Sequence, residues 1–542
     1  MLIDPANCAS QMECDVAVIG AGPAGLALAL DLAGAGVDVT VLSSGLCGMD
    51  ATLADLSRAA SHPEDHLDPR ALEARRFGGL SWSWGGRCVA FDQSDFAART
   101  DPALPEWPVT RDDLMAHSAK AAQFLGLGAP DFNEAPDHEG LCWRQEYWSA
   151  QPQIMHNHKA ALTSRSGPRV LLGATCTDAA ICDAGRITSV TAHLPDMRGI
   201  NLRAKHVVIA AGGLESARLL LWIFARNNRP APQWTGRGYM GHLKGQIADI
   251  QTFPQQAALW GYRRSGACYA RRRFALSLAD LEQTRSANIN FHLDNPPMAD
   301  PAHGRAGLSA TALVLGLPLV GARILPGPMR QFFVGEAPTW GARARHLQNV
   351  ARTPLAAAKF IWQGWRGRRT VPVLPGMLEP KAGRFALSFN AEQVPRFENA
   401  IRLSPVKDRF GMPRIDIEKT VGDTEIAAVI RAHERLAERT KAAGTGQVVF
   451  KDRSTLPDTI RRSSGDGYHQ IGLARMGRDP DTSVTDTDAK VHGIQNLFVA
   501  GSAVFPRSSH ANPTLTIVCQ ALRIADHLKT LLPVRKGAAH DT

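Results

Sequence analysis

An α/β fold of two domains is what the sequence predicts, and three observations predict it. Residues 15 to 19, DVAVI, read as a buried strand; GAGPAGLALALDLAGAG then opens a helix, and VDVTVL at 37 to 42 supplies a second strand. Two later segments, HVVIAAGG at 206 to 213 and LFVAGSAVF at 497 to 505, repeat the design of an apolar strand running into a glycine turn. The chain has 542 residues, whereas single cores stop growing at roughly 250 to 300, so two domains are expected, contiguous or interleaved.

The first unit carries Gly20, Gly22 and Gly25 in a GxGxxG pattern placed between strand and helix. The first glycine permits the tight turn, the second lets the backbone approach a pyrophosphate, and the third allows helix and strand to pack closely, with the helix N-terminus facing the phosphates. A carboxylate normally ends the second strand and bonds the ribose hydroxyls; here Ser43 stands in its place and offers a weaker bond. Because three glycine-punctuated strands converge from both ends of the chain, one extended ligand is implied, and FAD is longer than NAD. Further along, FENAIRLSPVKDRFGMPRIDI (397 to 417) reads as paired strands, and GDTEIAAVIRAHERLAERTKAAG (422 to 444) as a helix stopped by Gly444.

Composition is ordinary for a globular protein, with 44% apolar and 21% charged residues, so disorder is expected only at the ends. The first twenty residues carry acids where a secretion signal needs a basic region. Nine cysteines, an odd number with no C-x-x-C pair, fit reduced thiols in a cytoplasm. Net charge is +10, and nine basic residues against the single acid Glu336 lie between Arg323 and Arg369. That tract follows an apolar stretch at 307 to 322 interrupted by Pro318 and too short to span a bilayer. Two readings of 307 to 369 stand: a buried apolar helix followed by a solvated basic face, or peripheral attachment to an anionic inner membrane face. No nucleic-acid module is recognisable, and His156 and His158 lack the companion ligands of a metal site.

Four further segments complete the picture: RRFGGLSWSWGGRC (75 to 88), AKHVVIAAGGLESARLLL (204 to 221), GYHQIGLARMG (467 to 477) and GIQNLFVAGSAVFPRSSHANPTLTIVCQALRIADHL (493 to 528). With the N-terminal fingerprint, and in this order, they resemble the glucose-methanol-choline (GMC) oxidoreductases, flavoenzymes that oxidise alcohols. The resemblance implies a Rossmann-like FAD domain built discontinuously from 13–95, 150–239 and 455–534, and a substrate domain at 240–454 on an antiparallel sheet with helices, with 397–417 carrying a strand of that sheet. It implies that Gly78, Gly79 and Ser81 lie along the pyrophosphate and flavin, that Gly501 and Ser502 contact the ribityl side, and that Thr514 joins the cofactor site. Some members of the family attach FAD through a histidine; Ser83 occupies that place here, so the FAD is expected to be non-covalent.

Oxidising an alcohol needs a base for the hydroxyl proton while hydride passes to flavin N5. His469 suits this, since an imidazole with a pKa near about 6.5 is neutral yet basic at cellular pH. In the family motif the second catalytic residue follows 43 residues later, which is Asn512 here; its amide would hold the substrate oxygen. The motif threonine is replaced by Leu473. His510 either alternates onto the same side as Asn512 or, the reading adopted, is a solvated loop histidine. The resemblance to sugar and glycoside oxidoreductases points to a secondary hydroxyl on a carbohydrate or related polyol, with oxygen, a quinone or a carrier protein as electron acceptor. The alternatives are a flavin-binding protein without turnover, and an enzyme for non-sugar alcohols at the membrane surface.

Overall fold

The computed structural model describes residues 1–132, 135–138, 141–253, 263–266, 268–294, 298–317, 320–321, 339–370 and 383–532. Two large sheets hold most of the described strands. Gln11–Ile19 lies in the middle of the first, buried from Cys14 onward. It pairs in parallel with Val39–Ser43 on one side and Gly199–Ile209 on the other, so that Val16 faces Val39 and His206. Leu497–Val499 joins in parallel beside Gly199–Ile209, and Arg169–Leu172 lies beyond Val39–Ser43. Strands covered on both faces read as apolar runs, and the site-facing ends of these do, VAVI at 16–19, VVI at 207–209 and LFV at 497–499. The helices Pro23–Gly34 and Thr514–Leu531 pack against each other, which joins the two ends of the chain in one layer. The expected α/β fold with its discontinuous Rossmann-like unit is thus present.

Among the described residues the second sheet is antiparallel and has nine strands. Its main path runs Gly446–Phe450, His242–Thr252, Arg384–Glu392, Ile289–Asp294, Cys268–Leu276, Leu141–Trp148 and Arg87–Val89. Leu243, Ile250, Phe291 and Phe389 form its apolar core with Val429 and Leu436 of the helix Asp423–Ala442. That helix begins with Asp423 and Glu425 and ends with Arg439 and Lys441, charges that complement its dipole. Gly444 then takes a left-handed conformation, the predicted stop.

The strands Ala400–Lys407 and Pro413–Glu418 form a separate two-stranded ribbon rather than part of the substrate-side sheet. The cause is visible in its contacts. Ile401, Ile415 and Ile417 pack on Leu214, Ala217 and Leu473, while buried Arg218 donates to Pro413 O and pairs with Asp408. Leu473 therefore fills an apolar seam between the ribbon and the helix Gly213–Arg226.

Several histidines are buried as neutral groups. Burial lowers His242 to about 3, and His292 and His433 to about 4. In an unfolded chain they titrate near about 6.5, so between these values the unfolded chain binds more protons and stability falls as pH is lowered. Two buried carboxyls, Asp95 raised to about 6 and Glu73 to about 7, act in the opposite sense and are outnumbered. The melting temperature should therefore decrease from pH ~6.5 to ~4, each histidine contributing at most about 1.4 kcal/mol per pH unit. A flat profile in calorimetry would contradict neutral burial.

Candidate active site

The glycine turns meet at the ends of three adjacent parallel strands, Gln11–Ile19, Gly199–Ile209 and Leu497–Val499. Gly20 has φ +115°, and a Cβ there would lie 2.3 Å from Ala210 O. At Gly25 a Cβ would come within 2.0 Å of Gly20 O, so helix and turn touch backbone to backbone. Gly22, by contrast, has nothing within 4 Å of its Cβ position and caps the helix Pro23–Gly34. Gly78 N donates to Ala21 O, and Gly79 lies against Gly22 Cα, so the two glycine loops are stacked. Gly212 and Gly501 again face open space. A crevice at strand ends, lined by bare backbone and opened by a helix N-terminus, fits a dinucleotide such as FAD.

The serines named from the sequence turn their hydroxyls toward the protein. Ser43 Oγ donates to Gly45 O, Ser81 Oγ to Gly78 O and Ser502 Oγ to Gln470 O, at 2.9, 2.7 and 2.7 Å. Ser43 and Ser81 close their own loops and Ser502 ties its loop to the segment bearing His469, so what these residues offer a ligand is mainly backbone. Thr514 is the first residue of the helix Thr514–Leu531 and is half-buried at its N-terminal end. Trp82 is a packing residue: its Nε1 donates to Phe77 O and the Arg76 guanidinium lies 3.4 Å above its ring.

His469 and Asn512 come together. Asn512 Nδ2 lies 3.4 Å from His469 Nε2, and Asn512 Oδ1 is buried without a hydrogen-bond partner. Such an orphaned acceptor beside an imidazole marks a place built for something else to bind. The loop bearing His469 is held by a two-way backbone pairing of Met240 with Ile471 at 2.9 and 3.1 Å. This register brings His242, the first residue of His242–Thr252, against the catalytic candidate: the two Nδ1 atoms are 2.6 Å apart. Burial, reinforced by His242, Lys244, Arg87 and Lys419, holds the His469 imidazole well below its ordinary range, so it is neutral at pH 7.

The segment carrying Asn512 rests on buried charge. Arg507 makes a bidentate pair with Glu392 at 2.8 and 2.7 Å and donates to Asp95 O. Ser509, at φ +56°, donates to Asp95 Oδ2. His510 is fully buried rather than solvated, which corrects the expectation from its loop position. Its Nε2 donates to Asp92 at 2.6 Å and its Nδ1 accepts from Arg273 at 2.9 Å. It is therefore a strut beneath the loop. Burial would raise the Asp92 carboxyl, but His510 and Arg144 outweigh it and keep the group ionised. The sequence offered no sign of His242, Arg507 or Glu392, because their partners lie far away in the chain and none belongs to a recognisable spacing.

A family model described as FAD dependent oxidoreductase matches residues 15–334, and one described as GMC oxidoreductase matches residues 395–521. The chain is 35% identical over 122 residues to a C-glycoside 3-oxidase of Microbacterium trichothecenolyticum, covering 22% of each protein. It is 30% identical over 166 residues to a C-glycoside 3-oxidase of Arthrobacter globiformis, covering 30% of each. These matches thus span less than a third of the relatives' length. Among solved structures, a fungal aryl-alcohol oxidase superposes over 96% of this chain and 99% of its own, with TM-score 0.53 at 15% identity, a likeness of fold.

Proposed function

Because the chain belongs to the FAD-dependent GMC oxidoreductases, we propose that it oxidises a CH–OH group to a carbonyl on a sugar, glycoside or related polyol, with His469 as base and Asn512 positioning the hydroxyl. The observation that carries this is the meeting of His469 Nε2 and Asn512 Nδ2 at 3.4 Å beside the orphaned Asn512 Oδ1. FAD, when bound, supplies the hydride acceptor. The backbones of Gly20, Gly22, Gly25, Gly78, Gly79 and Gly501 would hold it, with Ser43, Ser81, Ser502 and Thr514 shaping their loops. Ser83 has no imidazole to offer, so the cofactor is held without a covalent bond.

A neutral imidazole suits the proton step. His469 Nε2 accepts the substrate hydroxyl proton as the carbinol hydride departs, and the Asn512 amide donates to the oxygen while charge builds on it. The carbohydrate preference is supported by the relatives named C-glycoside 3-oxidases. Anaerobic addition of a panel of sugars and glycosides should bleach the yellow protein. Colour that persists against every polyol would sink the proposal and favour a flavin-binding role without turnover.

A second proposal, action at a membrane surface, has one specific observation behind it. In the helices Trp340–Arg352 and Pro354–Thr370, Trp340 and Leu355 are 83% and 85% exposed, and Leu347 is 59% exposed. Exposed Arg345, Arg352 and Lys359 flank them, and no acid occurs between Glu336 and Glu379. Apolar side chains turned outward amid cations suit the headgroup region of an anionic bilayer. Residues 322–338, including Arg323, Arg330 and Glu336, lie outside the described residues. Among the described residues no helix is long and apolar enough to cross a membrane. The protein should sediment with anionic vesicles at low salt and detach when Trp340 and Leu355 are changed to serine; a protein left in the supernatant at every salt concentration ends the idea.

A further inference from the structure

His242 has no counterpart among the residues named from the sequence, yet it is the nearest polar neighbour that His469 has on its inner side. Its Nε2 lies 3.2 Å from the backbone carbonyl of Ser508, and its Nδ1 lies 2.6 Å from His469 Nδ1. A carbonyl oxygen only accepts, so His242 Nε2 must carry a proton. A neutral imidazole holds one proton, which leaves His242 Nδ1 as a bare lone pair. The short contact between the two Nδ1 atoms then requires a proton on His469 Nδ1, and it leaves His469 Nε2 bare beside the Asn512 amide. Both ends of this chain are braced by one residue: Gln393 Oε1 accepts from Gly241 N at 2.8 Å, and Gln393 N donates to Ser508 Oγ at 2.9 Å.

We propose that His242 is a positioning residue for the oxidation: its lone pair fixes His469 as the tautomer with the proton on Nδ1 and the free base on Nε2. This rests on the role of His469 given above. A histidine free to choose would present a protonated Nε2 to substrate for part of the time, and that form cannot accept a proton. When His469 does take the hydroxyl proton, its Nδ1–H bonds to His242 strengthens, and the dipole of the Ser508 carbonyl supports the charge from behind. A carboxylate in place of His242 would stabilise the charged imidazole permanently; a neutral acceptor orients without doing so. The surroundings keep His242 neutral. It is buried, and that burial, with Lys244 adding to it, outweighs the Ser508 carbonyl and Glu392, which favour a positive charge on it. Lys419 and Arg87 act in the same direction on His469.

The test uses the flavin-loaded protein and three variants. His242→Leu removes the acceptor, and the rate of anaerobic flavin reduction by the best sugar should fall by about 10² or more while KM changes little. His242→Asn places an amide oxygen near the former Nδ1 position and should recover most of that loss. His242→Asp sets an anion against His469 and should move the acid limb of the kcat/KM profile to higher pH. A readout independent of turnover is the ¹⁵N spectrum of histidine-labelled holoenzyme, with the His469 signals assigned by their absence in His469→Gln; Nδ1 should be protonated and Nε2 bare. A protonated Nε2 in that spectrum, or wild-type reduction and an unshifted pH profile in both His242→Leu and His242→Asp, overturns the proposal. Should His242→Leu fail to fold, the spectrum and the Asp variant still decide. If His469→Ala reduces flavin normally, it is the role of His469 itself that falls; if that variant is inactive and His242→Leu is not, only the role of His242 falls.

Discussion

His469→Ala is expected to stay yellow and to lose anaerobic bleaching by sugars, with the rate of flavin reduction down by roughly 10² to 10⁴. The retained colour follows from geometry: the glycine loops at 20–25, 78–79 and 501 are built from backbone, and none of their hydrogen bonds involves His469. The lost chemistry follows from the absence of any replacement base among the described neighbours. Asn512 has no basic atom at neutral pH. His242 faces its only lone pair toward the position the alanine would vacate, but its bond to the Ser508 carbonyl holds it about one imidazole width away from Asn512, out of place for the substrate hydroxyl. His510 is committed on both ring nitrogens, to Asp92 and Arg273. Because His469 is held neutral well below its ordinary pKa, the wild-type acid limb should lie below pH ~6.5, with activity present above the limb and lost as pH falls through it. Stopped-flow reduction across pH measures both. Rapid bleaching by the alanine variant would remove His469 from the chemistry.

Arg507→Ala should be the most costly single change in the support beneath the site, at about 3–5 kcal/mol. The guanidinium and the Glu392 carboxylate are both wholly withdrawn from solvent and joined by two hydrogen bonds. Removing one partner leaves a buried anion whose remaining donors are the Asn288 and Ser509 backbone amides. Arg507→Lys keeps the charge but loses the planar two-point geometry and should fall between alanine and wild type. Replacing both partners with apolar residues of similar volume should cost less than Arg507→Ala alone, since no stranded charge remains. Chemical denaturation of the three variants tests this ordering. An alanine variant within about 1 kcal/mol of wild type would mean that water or a local shift compensates Glu392. Since Arg507 adjoins Ser508, whose carbonyl accepts from His242, the alanine variant should also lose more activity than its loss of folded protein accounts for.

Much of the fold was legible because its signals are local. Gly20 and Gly25 are required by steric contacts of 2.3 and 2.0 Å that any side chain would violate, and such needs leave a spacing in the sequence. The helix at 423–442 declares itself through its period and its stop. The pairing of His469 with Asn512 was legible through a motif spacing, and their 3.4 Å approach is what that spacing describes. The strands at 400–418 pair as the sequence predicts, but the expectation that they belong to the substrate-side sheet fails. Their place depends on Arg218 and on apolar contacts from a helix nearly two hundred residues earlier in the chain. His510 failed in the same way: a histidine between serine and alanine in a loop looks solvated, and only the arrival of Asp92 from a helix cap and Arg273 from a strand buries it.

By itself, then, the sequence determined the nucleotide fold and the spacing that sets His469 beside Asn512, because turns, periods and motif spacings are properties of neighbouring residues. The tertiary structure alone decided which nitrogen of His469 is free. That choice is set by His242, 227 residues away, and by the Ser508 carbonyl. Both are delivered by the pairing of Met240 with Ile471 and by the buried Arg507–Glu392 contact. Hydrogen-bond direction depends on which donor meets which acceptor in space, and linear order carries no record of that meeting.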